Sequence, residues 1–164
     1  AALAVFAIGV FLFSFWLDTP SDVYPMPPIR SLPESHTSAT VSIEPNMIPP
    51  SAQGELRMMI RNNSDETFNL SRIELRVPTA FWQCFVLDYA ASEPSIVETD
   101  QKRSLIELHG VTLTANETWT TSIPVVGNQP GDCSGAFTVH APGKIGRSFA
   151  KISHTTQLNL SVVP

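Results

Sequence analysis

The sequence predicts an all-β chain: an antiparallel β-sandwich of roughly 110 residues, a common size for one compact domain, preceded by one N-terminal transmembrane α-helix and a proline-rich extended linker. Three observations predict it. The stretch from Ala1 to Leu17 carries no charge, and its one polar side chain is Ser14. Eight of the fourteen prolines fall between residues 18 and 50. From Gly54 onward apolar residues recur at every second position in short runs, separated by Asn, Gly and Pro turns, and no helical period returns. The expected divisions are therefore residues 1–17, 18–50 and 51–164.

The first division is a membrane-anchor candidate through Phe6, Phe11, Phe13, Phe15, Trp16 and Leu17. At about 1.5 Å per residue it covers roughly 26 Å, a little short of the ~30 Å hydrocarbon core. The chain begins at Ala1 without methionine, and preceding residues are expected to complete the span. The run ends Phe-Trp-Leu-Asp-Thr-Pro, which lacks the small-x-small pattern of a cleaved signal peptide. Asp18 and Asp22 follow it, and no positive charge comes before Arg30. That asymmetry predicts a cytoplasmic N-terminus and a C-terminal domain on the periplasmic or extracellular side.

Pro20, Pro25, Pro27, Pro28, Pro33, Pro45, Pro49 and Pro50 forbid helix and favour extended polyproline-type chain. This arm is expected to lie against partner subunits, with Tyr24, Pro25, Pro27 and Pro28 as contacts. A short strand, Ala39 to Ile43, is expected within it.

In the third division Leu56, Met58 and Ile60 alternate with Glu55, Arg57 and Arg61, and Asn62-Asn63-Ser64-Asp65 reads as a turn. From Thr67 to Val77, residues Ile73, Leu75 and Val77 alternate with Arg72, Glu74 and Arg76. Phe81 to Asp88 is apolar on both faces and reads as a central or interface strand. Residues 89–102 read as a polar loop around Pro94. Strands are expected at Arg103–His109, Thr118–Val126 and Cys133–His140, with one long strand or a hairpin from Ser148 to Val163. Ala115-Asn116, Gly127-Asn128, Pro130-Gly131 and Pro142-Gly143 are the expected turns.

One ordered set of residues carries a resemblance. Leu56-x-Met58-x-Ile60 is followed by Asn62-Asn63-Ser64, then Leu70-x-x-Ile73-x-Leu75-x-Val77-Pro78, and then the run from Leu113 to Thr120. Residues 54 to 140 thus resemble the Ig-like or fibronectin-like sandwich repeats of surface proteins. The resemblance implies that fold and a binding role, and it transfers no catalytic residue. Trp82 lies two residues before Cys84 and not between the cysteines, a departure from true immunoglobulin domains.

A net charge of −5 excludes an electrostatic grip on nucleic acid. The two cysteines, Cys84 and Cys133, are expected to form a disulfide in an exported domain. His36, His109, His140 and His154 show no chelating spacing, and neither metal nor cofactor is expected. Gly131-Asp132-Cys133-Ser134-Gly135 superficially resembles a serine-protease nucleophile string, but reads as a turn leading into a disulfide-bearing strand. Asn-x-Ser/Thr triplets stand at Asn62, Asn69, Asn116 and Asn159. Asn62 and Asn116, both at turns, are the better glycosylation candidates. Phe81, Trp82 and Phe85 form the densest aromatic patch and a candidate partner surface.

These readings point to a non-catalytic, single-pass accessory subunit of a larger membrane-protein complex, respiratory or photosynthetic among the possible hosts. Its partners are the bilayer and integral membrane subunits, and it is expected not to be an enzyme. A surface adhesion or receptor protein is the alternative. A membrane-anchored metal carrier or enzyme, needing His109, His140 or His154 to converge with Cys or Met, is the minor one.

Overall fold

The computed structural model describes residues 30–31, 36–88 and 96–164. In chain order the strands are β1 (Arg30–Ser31), β2 (Thr37–Glu44), β3 (Met47–Ile48), β4 (Gln53–Asn62), β5 (Phe68–Leu70) and β6 (Arg72–Arg76). A helical turn, α1 (Phe81–Cys84), leads into β7 (Phe85–Leu87). Then come β8 (Ile96–Asp100), β9 (Leu105–His109), β10 (Thr112–Leu113), β11 (Thr118–Gly127) and β12 (Gly131–Asp132). The chain ends with β13 (Gly135–Ile145), β14 (Ser148–Leu158) and β15 (Ser161–Val162).

Two sheets enclose one core. The larger runs β1-β14-β13-β6-β9-β8, with β5 pairing β13 and β10 pairing β5; the smaller runs β2-β4-β11-β7. A three-stranded piece, β12-β15-β3, completes the sheet structure. Pairing is antiparallel except for β1 with β14 and β15 with β3. The period-2 reading of Leu56, Met58 and Ile60 holds: they face the core opposite Ile43, Val41 and Ala39 on β2 and beside Ile123 on β11. Across the core, Ile73 and Leu75 pair with Leu108 and Ile106, and Val139 pairs with Leu75. Thr37 and His154, joined at 3.1 Å, link β2 of the smaller sheet to β14 of the larger one.

Several expectations are corrected. Residues 37–48 are not linker: β2 pairs with β4 through eight residues, and Ile48 is buried in the core. The sandwich therefore includes the second half of the proline-rich stretch. Phe81 to Asp88 is not one strand. Phe81 N donates to the Pro78 carbonyl and Cys84 N to that of Ala80, so the run starts as a helical turn. Phe81, Cys84 and Phe85, at i, i+3 and i+4, consequently all point inward.

The strand expected from Thr67 to Val77 is broken at Ser71, whose N–H donates to the Pro142 carbonyl. The polar 89–102 stretch includes a strand, β8, bulged between Ile96 and Glu98. Pro142-Gly143 is no turn, because β13 runs through it to Ile145. A Cβ on Gly143 would strike the Asn69 carbonyl oxygen, so the glycine serves the close approach of β5. The true turn is Gly146-Arg147, with Gly146 at φ +54°.

Among the described residues no helix is long and apolar enough to cross a membrane. The anchor residues Phe6, Phe11, Phe13, Phe15, Trp16 and Leu17, and the arm contacts Tyr24, Pro25, Pro27 and Pro28, lie outside the described residues.

Candidate functional site

Cys84 and Cys133 form the expected disulfide, with Cα atoms 6.1 Å apart. It ties α1 to the β12–β13 link. The aromatics expected at a partner surface are largely interior. Phe81 and Phe85 are buried, with ring centroids 5.3 Å apart, and Phe81 meets Phe137 edge-on at 5.9 Å. Trp82 packs against this cluster and is half-buried. Its indole Nε1 is buried without a hydrogen-bond partner among the described residues. As a contact patch the trio is therefore corrected: two of its three rings offer no surface, because the helical turn directs them inward.

Asn62 is corrected too. It continues the inward phase of Leu56, Met58 and Ile60 and is fully buried. Its Nδ2 donates to the carbonyls of Glu66 (2.6 Å), Thr114 (2.9 Å) and Leu113 (3.3 Å). Its Oδ1 accepts from the backbone N–H (2.9 Å) and hydroxyl (2.8 Å) of Ser64. The nitrogen that would carry a glycan is the one tying three chain segments together, so a folded domain cannot be modified there. Asn116 stands exposed on its turn at φ +61°.

The most developed polar surface is the outer face of the large sheet. Register places His140 on β13 opposite Glu74 on β6, Glu74 opposite Glu107 on β9, and Glu107 opposite Glu98 on β8. Three carboxylates side by side repel, and such a row needs cations beside it. Arg72 supplies one, its Nε 2.8 Å from Glu74, which is buried. Arg103 supplies another, bonded to Asp100 and 4.0 Å from Glu98. The Arg103 guanidinium holds the Asp100 carboxyl below its ordinary value, and Asp100 in turn raises Arg103. Arg76 makes no ion pair with a described residue. A groove of about 560 Å³ runs over this face, lined by Arg72, Arg76, Arg103, Glu74, Glu107 and His140.

Of these residues only Arg72, Glu74 and Arg76 read as outward strand positions in the sequence. The register needed to assemble them was not available from spacing. Among the described residues no group of three or more His, Cys, Asp or Glu side chains could hold a metal ion. His154 is engaged with Thr37, and both cysteines are consumed in the disulfide, so neither thiol is available as a metal ligand.

The arrangement defines a disulfide-bonded β-sandwich domain with a charged groove on one sheet. No protein-family model and no curated sequence matches the chain. Its fold is similar to that of several solved structures. The chain covers 51% of the sporulation control protein Spo0M of Bacillus subtilis, at 9% identity, 79% coverage of this chain and TM-score 0.44. AvmM, which catalyses macrocyclization in alchivemycin A biosynthesis, aligns at 13% identity over 84% of this chain and 97% of that one, TM-score 0.45. A GH20 exo-β-N-acetylglucosaminidase of Vibrio harveyi aligns at 13% identity over 79% of this chain and 19% of that one, TM-score 0.47.

Two of these similar structures are enzymes, so the expectation that the chain is not one is not upheld; at 13% identity and TM-scores below 0.5 the likenesses do not make it an enzyme either. Catalysis is a matter of site, not of fold.

Proposed function

We propose that this chain is a membrane-tethered subunit of a larger membrane-protein assembly. In this reading an Ig-like or fibronectin-like sandwich sits outside the cytoplasm and docks on neighbouring proteins. The observation that carries the docking is the charged outer face: a row of carboxylates on adjacent strands, partly matched by its own arginines, with Arg76 left for a partner. Charge patterns of this kind fix register and exclude wrong partners more than they add raw affinity. The Cys84–Cys133 disulfide supports an oxidising compartment. The uncharged stretch from Ala1 to Leu17 supports the tether.

A photo-crosslinking residue placed at Glu107 or Arg76 in native membranes tests the docking. Discrete adducts with integral membrane proteins, absent when the residue is placed at Thr120 on the smaller sheet, are expected. Equal labelling from all three positions, or none, would remove the charged face as the interface. Adducts with soluble or extracellular proteins alone would favour the adhesion or receptor reading.

A further inference from the structure

A second cavity, of about 400 Å³, opens at one end of the sandwich, away from the charged groove. It lies within the range of ligand pockets. The β4–β5 turn, the β13–β14 turn and the start of β2 build it. Phe68, Ile145 and Phe149 supply an apolar wall, and Asp65 and Glu66, with His36, stand among its polar lining. Phe68 is buried, whereas Phe149 is 39% exposed. Neither Asp65 nor Glu66 forms an ion pair with a described residue. The Lys144 ammonium stands 5.0 Å from the centre of the Phe149 ring, so this ring already attracts one cation of its own chain.

We infer that this cavity receives the basic side chain of a partner protein, with arginine the best fit. An arginine needs an apolar surface for its methylene stem and an acidic rim for its head. Phe68, Ile145 and Phe149 match the stem, and Asp65 and Glu66 match the guanidinium. Arginine is also among the residue types that most often anchor protein interfaces. A neutral apolar anchor would leave the acidic Asp65 and Glu66 in the lining unmatched, and an acidic one would be repelled. The inference takes its partner from the docking reading above, but the pocket is tested without that partner.

The experiment is a titration of the isotopically labelled full chain, in mild detergent, with N-acetyl-arginine amide and its neutral isostere N-acetyl-citrulline amide, followed by amide chemical shifts. For so small a probe, saturable shifts at Asp65, Glu66 and Phe149 in roughly the millimolar range are expected with arginine only. The double variant Asp65→Asn, Glu66→Gln should weaken arginine binding roughly tenfold, the scale of one lost close ion pair in a partly desolvated site. Phe149→Ala should weaken it without altering the rest of the spectrum.

Equal binding of the two probes would overturn the inference, as would arginine shifts confined to the Glu74–Glu107 face. Arg30 pairs through its backbone with Ala150 at the cavity edge. Binding that emerges only in an Arg30→Ala variant would also overturn it, assigning the pocket to the chain's own arm. Failure here leaves the crosslinking result intact, so the two readings fail separately.

Discussion

Replacing Asn62 by alanine should cost the domain about 3–4 kcal/mol, a large part of the 5–15 kcal/mol that holds a typical domain together. Four hydrogen bonds to backbone groups are lost, to the carbonyls of Glu66, Leu113 and Thr114 and from the N–H of Ser64; the Glu66 and Thr114 carbonyls keep one other bond each, from the Ser64 hydroxyl and the Glu117 N–H. The Leu113 bond is wholly buried, and the others are half-shielded. A net of about 1 kcal/mol for each gives the figure, since water restores little in the interior and more at the rim. Asn62→Asp should be at least as damaging. A carboxylate keeps the Ser64 contacts but sets negative oxygen against three carbonyl oxygens. Asn63→Ala, one residue on and exposed, should change stability by less than about 0.5 kcal/mol. Urea unfolding of the oxidised chain, followed by circular dichroism with the slope held in common, measures all three. A loss below about 1 kcal/mol for Asn62→Ala would refute the claim that this side chain, rather than strand pairing alone, holds the turn.

Three further outcomes are expected. Cys84→Ser with Cys133→Ser should lower the unfolding free energy by about 4 kcal/mol, the chain-entropy value for closing a loop whose ends lie 49 residues apart; urea unfolding with and without reductant reads it. Gly143→Ala should destabilise by about 1–3 kcal/mol, because its new methyl group meets the Asn69 and Leu70 backbone; hydrogen exchange should show the loss first in β5 and the adjoining part of β13. Thr114 bonds hold the Glu117 carboxyl below its ordinary 4.5, and Ser134 bonds hold Asp132 below 3.8. Depressed carboxylates contribute stability that is present above those ordinary values and lost as pH falls through the lower folded ones. The melting temperature should therefore drop between pH 5 and pH 2, and Glu117→Gln should flatten part of that slope.

Where one face of a strand was polar, its phase was legible. Leu56, Met58 and Ile60, and Ile106 and Leu108, face the core as alternation requires. Alternation also held the signal for Asn62, the next inward position after Ile60, but the polarity of the Asn62–Asp65 run favoured an exposed turn. Phe81 to Leu87 misled because apolar residues on both faces leave the period undetermined. A helical turn after Pro78 satisfied the same composition. Pro142-Gly143 reads as a turn by dipeptide alone, and only the approach of β5 explains a glycine inside a strand. The charged face was illegible for a different reason. Glu74 is far in sequence from Glu98 and Glu107, and the three become neighbours only through the pairing of β6, β9 and β8.

The central claim is that this sandwich is a docked subunit of a membrane assembly. Its most direct test is purification of the full chain from native membranes in mild detergent, with mass spectrometry of whatever co-migrates. The account predicts a fixed stoichiometric set of integral membrane proteins, lost when Arg76 and Arg103 are both replaced by glutamate. A lone monomer, with residues 18–36 open to protease, would contradict it.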